Sequence, residues 1–231
     1  MKRYAVFVAG GQGVRMGADR PKQFLEIDGK PILRHTIERF LAFDPKVDVI
    51  LVLPEAQKGW WRDYCRQNSF LDRYTMVSGG ITRFHSVRNA LQYVKEDGVV
   101  AIHDGVRPLL SGSLLQRLYE AAETYPAVIP GLPVVESVRR VDGEESVPVS
   151  RDGLVLVQTP QLFDVRLLKE AYRQPFSPAF TDDASVFEAA GGKVHIVPGD
   201  RINLKITTPD DMDYAAALLS ISSFAPVVPE P

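Results

Sequence analysis

Residues 5–17 of the chain read AVFVAGGQGVRMG, and they set the expected class of fold. The apolar run at residues 5–8 suits a strand that is buried on both faces, and it leads directly into a loop rich in glycine. Glycines permit tight turns and let backbone amides approach an anion closely. The stretch therefore predicts an α/β protein with a phosphate-binding loop after its first strand.

Further apolar runs alternate with helical patterns along the chain. Runs typical of strands occur at residues 47–53, 74–77, 99–102 and from residue 127 onward. Between them, apolar residues recur at helical spacing, as in Leu33, Ile37 and Phe40, and Thr208 with Pro209 is a typical start of a final helix. The alternation predicts a mostly parallel twisted sheet between two layers of helices.

This pattern fits a single three-layer Rossmann-like domain over residues 1–224, with a disordered tail at 225–231. One segment departs from it, because short strands at 137–141 and 146–149 flank Asp142-Gly143, a strong hairpin signal. We expect a protruding β-hairpin arm at about residues 137–150. A two-stranded ribbon is marginal alone in water, so it packs either on its own domain or on a second subunit.

The composition is that of an ordinary folded protein. Of its 231 residues, 45% are hydrophobic and 24% charged, and the formal net charge is −2. That charge gives no overall field that would attract nucleic acid or an anionic membrane, so a local cluster must hold any anion. One cysteine, Cys65, excludes an internal disulfide, and no apolar run approaches the length of a membrane span. We expect a cytoplasmic protein that binds neither nucleic acid nor membrane.

Two cations follow the first strand. Arg15 lies within the glycine-rich loop and Lys22 in Pro21-Lys22-Gln23. The loop lacks the Gly-Lys-Ser/Thr ending of a P-loop, and Met16 replaces the third glycine of the dinucleotide fingerprint. Both cations could reach one bound phosphate group, where preorganised positive charge favours transfer at phosphorus. The alternative for each motif alone is a solvated surface turn.

Taken together, these and later motifs resemble the 2-C-methyl-D-erythritol 4-phosphate cytidylyltransferases. The resemblance runs from the first strand to the final helix. Its further matches are Gly79-Gly80 with Arg83 and Ser86-Val87, His103-Asp104 with Arg107-Pro108, Thr159-Pro160-Gln161, Thr181-Asp182, and Asn203-Leu204-Lys205-Ile206.

The resemblance implies transfer of CMP from CTP to 2-C-methyl-D-erythritol 4-phosphate, with release of pyrophosphate. It gives Arg15 and Lys22 the role of stabilising the transition state, and it gives Arg151 and Lys205 the role of positioning the acceptor phosphate. That phosphate is already ionised at neutral pH, so no general base is required. The resemblance also has Arg151 reach the active site of a neighbouring subunit, which favours a homodimer joined by the arm.

The remaining site residues fall into two groups. By resemblance, the nucleotide is bound by Ala9, Gly10, Gly11, Gly13, Gly80, Ser86 and Gly105, and the acceptor by Asp104, Arg107, Thr159 and Thr181. Ile81 stands where the family often has a polar residue, so contacts to the base there must come from the backbone. Ser86 could equally cap a helix, and either threonine could cap a turn.

Asp104 follows the predicted strand at 99–102, at the sheet edge where open α/β sheets bind ligands. It could contact acceptor hydroxyls, help to order a metal, or cap local amides. We expect Mg²⁺ or another divalent cation as cofactor, held mainly by the CTP phosphates. No direct protein ligand is expected, and Asp104 is the candidate if there is one. His103 has no triad partner nearby and is expected to pack or to support a neighbouring site residue.

Three other functions compete with this interpretation. A ribitol-5-phosphate cytidylyltransferase would share the glycine loop, the Pro-Lys-Gln motif and the hairpin. A non-catalytic nucleotide-binding regulatory subunit would not require charged groups for both donor and acceptor. A sugar-nucleotide pyrophosphorylase that uses UTP or GTP has a similar glycine-rich start but a longer chain.

Overall fold

The computed structural model describes residues 1–11, 20–71 and 73–221. Two predicted site residues, Gly13 and Arg15, lie outside the described residues, and so does the tail expected at 225–231. Among the described residues, no helix combines the length and apolarity that a membrane-crossing helix requires.

Strands and helices alternate through the described part of the chain. The strands are β1 (Lys2–Val8), β2 (Glu26–Ile27), β3 (Lys30–Pro31), β4 (Asp48–Leu53), β5 (Thr75–Ser78), β6 (Gly98–Asp104), β7 (Ala127–Pro133), β8 (Val138–Asp142), β9 (Glu145–Val149), β10 (Val155–Val157), β11 (Gln161–Asp164) and β12 (His195–Pro198). The helices are α1 (Ile32–Phe43), α2 (Glu55–Gln67), α3 (Arg83–Leu91), α4 (Gly112–Ala121), α5 (Val165–Ala171), α6 (Asp183–Ala189) and α7 (Pro209–Leu219).

The main sheet has the strand order β10-β7-β11-β6-β1-β4-β5, and β12 also pairs with β7. Strands β6, β1, β4 and β5 are parallel to their neighbours in this half of the sheet. β11 runs antiparallel to both β6 and β7, and β10 runs antiparallel to β7. The predicted α/β fold with a mostly parallel sheet is confirmed.

Alternate residues of β1 enter opposite cores, as the period of a strand requires. Ala5 and Phe7 belong to the core on the side of α1, α2 and α4, whereas Tyr4 and Val6 belong to the core on the side of α3, α5 and α6. A sheet covered on both faces by helices is the predicted three-layer arrangement. Parallel strands that are buried on both sides read as continuous apolar runs, which is why the sequence revealed them.

The hairpin and the last helix occupy the predicted positions. β8 and β9 pair antiparallel around a turn in which Gly143 has a φ of +57°, a conformation that glycine adopts without steric cost. Their residues are mostly exposed. At the other end, Thr208 and Asp211 form a capping box that starts α7. Ile206, just before it, is fully buried in a small third core with Val106.

Candidate active site

The loops that follow four parallel strands meet at one edge of the sheet. Backbone hydrogen bonds join them: Ala9 N–H donates to the Val52 carbonyl at 3.0 Å, Gly79 N–H to the Leu53 carbonyl at 2.9 Å, and Gly105 N–H to the Val8 carbonyl at 3.0 Å. Because the carboxyl ends of parallel strands share an edge, residues far apart in sequence converge there. This edge is where we find most of the predicted site residues.

Glycine is required at position 105 for packing. A Cβ there would lie 2.9 Å from the Ala9 Cβ and 3.0 Å from the Leu33 Cδ1. Both distances are shorter than normal van der Waals contacts between carbon atoms. Gly105 therefore lets the loop after β6 lie against the loop after β1.

A second group of predicted residues gathers at the start of α3. The Gly80 N–H donates a 3.0 Å hydrogen bond to the Ser86 Oγ, and Ser86 is buried. A Cβ on Gly10 would lie 4.0 Å from the same Oγ, so the loop after β1 approaches this hydroxyl. The structure thus brings Ala9, Gly10, Gly80 and Ser86 together at the sheet edge.

The helix cap at α3 is supplied by another residue. Thr82 is the N-cap, and its side chain accepts a hydrogen bond from the His85 N–H. Ser86 is therefore not the cap that the sequence left open as an alternative. Ile81 is 95% exposed, so its side chain makes little contact with the protein.

Lys22 and Gln23 connect the first loop to distant parts of the chain. The Lys22 Nζ donates to the Ile206 carbonyl at 2.9 Å, which places it beside the segment that carries Lys205. The buried Gln23 Nε2 donates to the Ala9 carbonyl at 2.8 Å. Sequence reasoning noted the Pro-Lys-Gln motif but missed that its glutamine anchors the loop after β1.

A cavity of about 280 Å³ opens beside these loops. It contains five predicted site residues: Asp104, Arg107, Thr159, Thr181 and Lys205. Its other lining residues are Arg83, Val157, Gln158, Gln161 and Asp182. Three cations and two carboxylates thus share one small space.

Asp104 lies among the three cations. Its Oδ2 is 3.0 Å from the Lys205 Nζ and 3.3 Å from the Arg107 Nε, while its Oδ1 is 3.9 Å from the Arg83 Nε. Burial by itself would raise the pKa of Asp104, but the positive charges of Arg83, Lys205 and Arg107 outweigh it and hold the pKa well below its usual range. Asp104 is therefore an ionised acceptor of hydrogen bonds at neutral pH.

The second carboxylate of the cavity, Asp182, has a structural task. Its Oδ1 accepts from the Ser185 N–H at 2.9 Å and thereby caps α6, and its Oδ2 accepts from the Gln161 Nε2 at 2.8 Å. The neighbouring Thr181 is exposed at the cavity, and its backbone N–H donates to the Ser185 Oγ at 3.1 Å. The cap thus fixes the loop that presents Thr181.

The backbone of Asp104 is held from inside the protein. Its N–H donates to the Thr159 Oγ1 at 3.1 Å, and the same oxygen lies 2.9 Å from the His103 Nδ1. Burial lowers the pKa of His103 to about 3, so this imidazole is neutral at physiological pH. Thr159 therefore orients Asp104, a role that sequence reasoning missed. The expected packing role of His103 agrees with its contacts to the rings of Phe7 and Phe40.

Buried amides fix the loop that carries Lys205. The Gln158 Nε2 donates to the Asp200 carbonyl at 2.9 Å, and the Asn203 Nδ2 donates to the Thr159 carbonyl at 2.9 Å. The Arg107 Nη1 donates to the Asn203 carbonyl at 2.7 Å. Buried polar groups that are paired in this way hold a segment in one position. Of these residues, the sequence drew attention to Asn203 as part of a motif but not to Gln158.

Of the described catalytic candidates, Lys205 lines the cavity and Lys22 is bonded to Ile206 beside it, whereas Arg151 is held elsewhere in the single chain. It is exposed, and its Nη1 donates to the Val135 carbonyl. It follows β9, and it is not among the residues that line the cavity.

The described side chains do not form a complete metal site by themselves. In residues 1–11, 20–71 and 73–221, no three His, Cys, Asp or Glu side chains are grouped so that they could hold a metal ion. Asp104 was the candidate ligand, but its Oδ2 already faces two cations at 3.0 and 3.3 Å. A divalent cation bound there would be repelled by those charges.

Known proteins are similar to this chain in sequence and fold. The model of the family described as 2-C-methyl-D-erythritol 4-phosphate cytidylyltransferase matches residues 4–221. A protein of that name from Phocaeicola vulgatus is 52% identical over 219 residues, which are 95% of this chain and 100% of the relative.

Solved structures agree with this relationship. The crystal structure of 2-C-methyl-D-erythritol 4-phosphate cytidylyltransferase from Thermus thermophilus has 31% identity and a TM-score of 0.77, covering 94% of this chain and 98% of that chain. The 4-diphosphocytidyl-2C-methyl-D-erythritol synthase from Anaerococcus prevotii has 28% identity and a TM-score of 0.79, with coverage of 94% and 98%. The chain therefore belongs to the 2-C-methyl-D-erythritol 4-phosphate cytidylyltransferase family, and it is a cytidylyltransferase.

Proposed function

We propose that this chain transfers CMP from CTP to 2-C-methyl-D-erythritol 4-phosphate, giving the 4-diphosphocytidyl product and pyrophosphate. The observation that carries the proposal is the cavity in which Arg83, Arg107 and Lys205 surround Asp104. Cations suit the phosphate of the acceptor, and an ionised carboxylate suits its hydroxyl groups. A polyol phosphate carries both kinds of group.

The donor occupies the loops next to this cavity. Backbone amides after β1, together with Gly80 and Ser86, lie close to one another, and we assign them to the nucleotide. Lys22 lies between the loop after β1 and the segment that carries Lys205, and it is assigned to the phosphorus under attack. We assign Arg15 to the same phosphorus by family resemblance alone, because it lies outside the described residues.

The reaction is a displacement at the α-phosphorus of CTP. An oxygen of the acceptor phosphate forms the new P–O bond, and the bond to the β-phosphate oxygen breaks, so that pyrophosphate leaves with that electron pair. The nucleophile is already anionic, and positioning with charge neutralisation supplies the catalysis. Lys205 and Arg107 hold the acceptor phosphate, and Asp104 and Thr181 hold its hydroxyls. Mg²⁺ would be held mainly by the triphosphate of CTP and would neutralise part of its charge, since Asp104 is engaged with cations.

A homodimer completes the site in this proposal. β10 lies at the edge of the sheet with Leu156 59% exposed and Val155 37% exposed, and Val157 of the same strand lines the cavity. An exposed apolar edge strand normally has a partner. The β8–β9 hairpin precedes this strand and carries Arg151 at its end. We place Arg151 in the acceptor site of the second subunit.

The proposed location is the cytoplasm. Cys65 is buried and forms no disulfide, as is usual in a reducing compartment.

Turnover with defined substrates tests the assignment. The chain is incubated with Mg²⁺, with CTP, UTP or GTP as donor, and with either 2-C-methyl-D-erythritol 4-phosphate or ribitol 5-phosphate as acceptor, and pyrophosphate release is measured. We expect a kcat/KM about 100-fold higher for the methylerythritol acceptor, since ribitol 5-phosphate lacks the methyl branch and adds a hydroxyl group that the cavity must accommodate. A preference for ribitol 5-phosphate would overturn the acceptor, a preference for UTP or GTP would overturn the donor, and no turnover would favour a binding subunit.

A further inference from the structure

Arg83 joins two helices that belong to different halves of the site. It is the first residue of α3, and its Nη2 lies 2.6 Å from the Oδ2 of Asp183, the first residue of α6. Asp183 is completely buried, and its Oδ1 accepts a 2.5 Å hydrogen bond from the Tyr172 hydroxyl. Both oxygens of this carboxylate are therefore paired, as burial of a charge requires.

The same guanidinium faces a second carboxylate. Its Nε lies 3.9 Å from the Oδ1 of Asp104 at the end of β6. Burial would lower the pKa of Arg83, but the negative charges of Asp183 and Asp104 raise it, so Arg83 is always protonated. This one cation therefore faces both Asp104, at the end of β6, and Asp183, at the start of α6.

The elements that Arg83 joins carry different substrate contacts. α3 follows Gly80 and contains Ser86, which we assign to the nucleotide. α6 follows Thr181 and Asp182, which line the acceptor cavity. The ion pair between Arg83 and Asp183 therefore connects the helix assigned to the nucleotide with the helix that follows the acceptor contacts.

Loss of this cation should affect the two sides unequally. α3 buries Phe84, Val87 and Leu91 in the core, and the bond between Gly80 and Ser86 does not involve Arg83. On the acceptor side, Asp104 would lose one of its three cations, and Asp183 would become a buried carboxylate without its ionic partner. An uncompensated buried charge is strongly unfavourable, so the start of α6 would move.

We propose that Arg83 is a positioning residue that sets Asp104 and the Thr181 loop relative to the nucleotide site, so that the acceptor phosphate meets the α-phosphorus of CTP. The proposal rests on the function assigned above. A displacement of about 1 Å in such a site costs about 100-fold in rate. Arg83 therefore affects kcat and the KM for the acceptor, whereas other residues determine the affinity for CTP.

The test compares Arg83→Gln and Arg83→Lys with a matched control, Arg34→Gln. Arg34 is also partly buried and makes a 2.8 Å ion pair with Glu38, but on α1 and outside the cavity. For each variant, the Kd of CTP is measured by calorimetry, and kcat and KM are measured for the acceptor. Thermal unfolding is recorded in parallel.

For Arg83→Gln we expect kcat/KM for the acceptor to fall about 100-fold, while the Kd of CTP changes less than about 3-fold. Arg83→Lys should recover part of the loss, because it restores the charge. Arg34→Gln should lose thermal stability and keep wild-type kinetics.

Equal losses in CTP affinity and acceptor use, or wild-type kinetics in a folded Arg83→Gln protein, would overturn the proposal. If Arg83→Gln does not fold, Asp183→Asn removes the anchor and keeps the arginine, and the same selective loss is expected. Wild-type protein that fails to use 2-C-methyl-D-erythritol 4-phosphate would refute the proposed function instead, so the two failures are distinguishable.

Discussion

The Nζ of Lys22 donates a 2.9 Å hydrogen bond to the carbonyl oxygen of Ile206, 184 residues further along the chain. Lys22 belongs to the turn after the first loop, and Ile206 follows Lys205, whose own Nζ pairs with Asp104. A cation assigned to the donor phosphates is thus held by the segment that presents a cation to the acceptor. The segments that carry these donor and acceptor residues therefore contact each other directly.

Lys22→Met should lower kcat more than it weakens CTP binding. One preorganised donor of this kind is worth about 100-fold to 1,000-fold in kcat. The measurement is steady-state kinetics with CTP varied at saturating acceptor. Lys30→Met is the control, since Lys30 pairs with Glu38 of α1 and not with the segment that carries Lys205. A variant in which KM for CTP rises and kcat is unchanged would show that Lys22 only binds the substrate.

Asp104→Asn should lose both activity and stability. Removing one member of a buried ionic cluster costs about 3 kcal/mol, because the remaining cations are left uncompensated. The pKa of Asp104 is lowered in the folded state, so its contribution to stability is complete at neutral pH and is lost as pH falls below the ordinary value of about 4.

Urea unfolding of wild type and Asp104→Asn at neutral pH and at about pH 3 checks this sign. The difference in the free energy of unfolding should shrink on acidification, at up to about 1.4 kcal/mol per pH unit below pH 4. A difference that grows as pH falls would mean that the cations do not stabilise the ionised form.

Gly80→Ala should weaken CTP binding because a Cβ there would lie 2.4 Å from the His85 Cβ. The loop would have to move away from α3 and Ser86, and we expect a rise of about 10-fold in the Kd of CTP, or about 1.4 kcal/mol. Gly59→Ala is the same chemical change in α2, where a Cβ meets nothing within 4 Å. It should stabilise the protein by about 1 kcal/mol and leave CTP binding unchanged. Unchanged CTP affinity in Gly80→Ala would remove this loop from the nucleotide site.

Mixing inactive variants tests the shared active site. If Arg151 acts across the dimer, a hybrid of Arg151→Ala and Lys205→Ala subunits has one intact site. Random exchange of subunits should then restore about a quarter of wild-type activity. Lys22→Ala mixed with Lys205→Ala is the control, because the two lysines belong to the same chain's site, and no recovery is expected. No recovery with Arg151→Ala either would place Arg151 outside the partner's site.

The fold was predictable wherever buried strands make continuous apolar runs. β1, β4 and β6 were found in this way, and the hairpin was found from Asp142-Gly143. α2 lacked a clear signal, because Trp61 and Cys65 are its only buried residues. β10 was missed because it is short and exposed.

The site was predictable as a set of motifs but not as a set of contacts. Motifs identified Asp104 and Lys205, which lie 3.0 Å apart. The pairing of Arg83 with Asp183 spans 100 residues, and no local spacing predicts it. Gln23 is similar, since its bond to the Ala9 carbonyl depends on how the chain returns past the first strand. Residues that bind a substrate can be recognised in the sequence by their residue type. The residues that hold those side chains in position are recognised only in the folded chain.

The fate of oxygen atoms gives the decisive measurement of CMP transfer. 2-C-Methyl-D-erythritol 4-phosphate labelled with ¹⁸O in its non-bridging phosphate oxygens is incubated with CTP and the wild-type enzyme, and both products are weighed by mass spectrometry. Attack of the acceptor phosphate on the α-phosphorus predicts that all of the label remains in the 4-diphosphocytidyl product and none enters pyrophosphate. One ¹⁸O should form the diphosphate bridge of that product and shift both of its ³¹P NMR signals. Label in pyrophosphate, or a cytidine product without ¹⁸O in a diphosphate bridge, would contradict the mechanism.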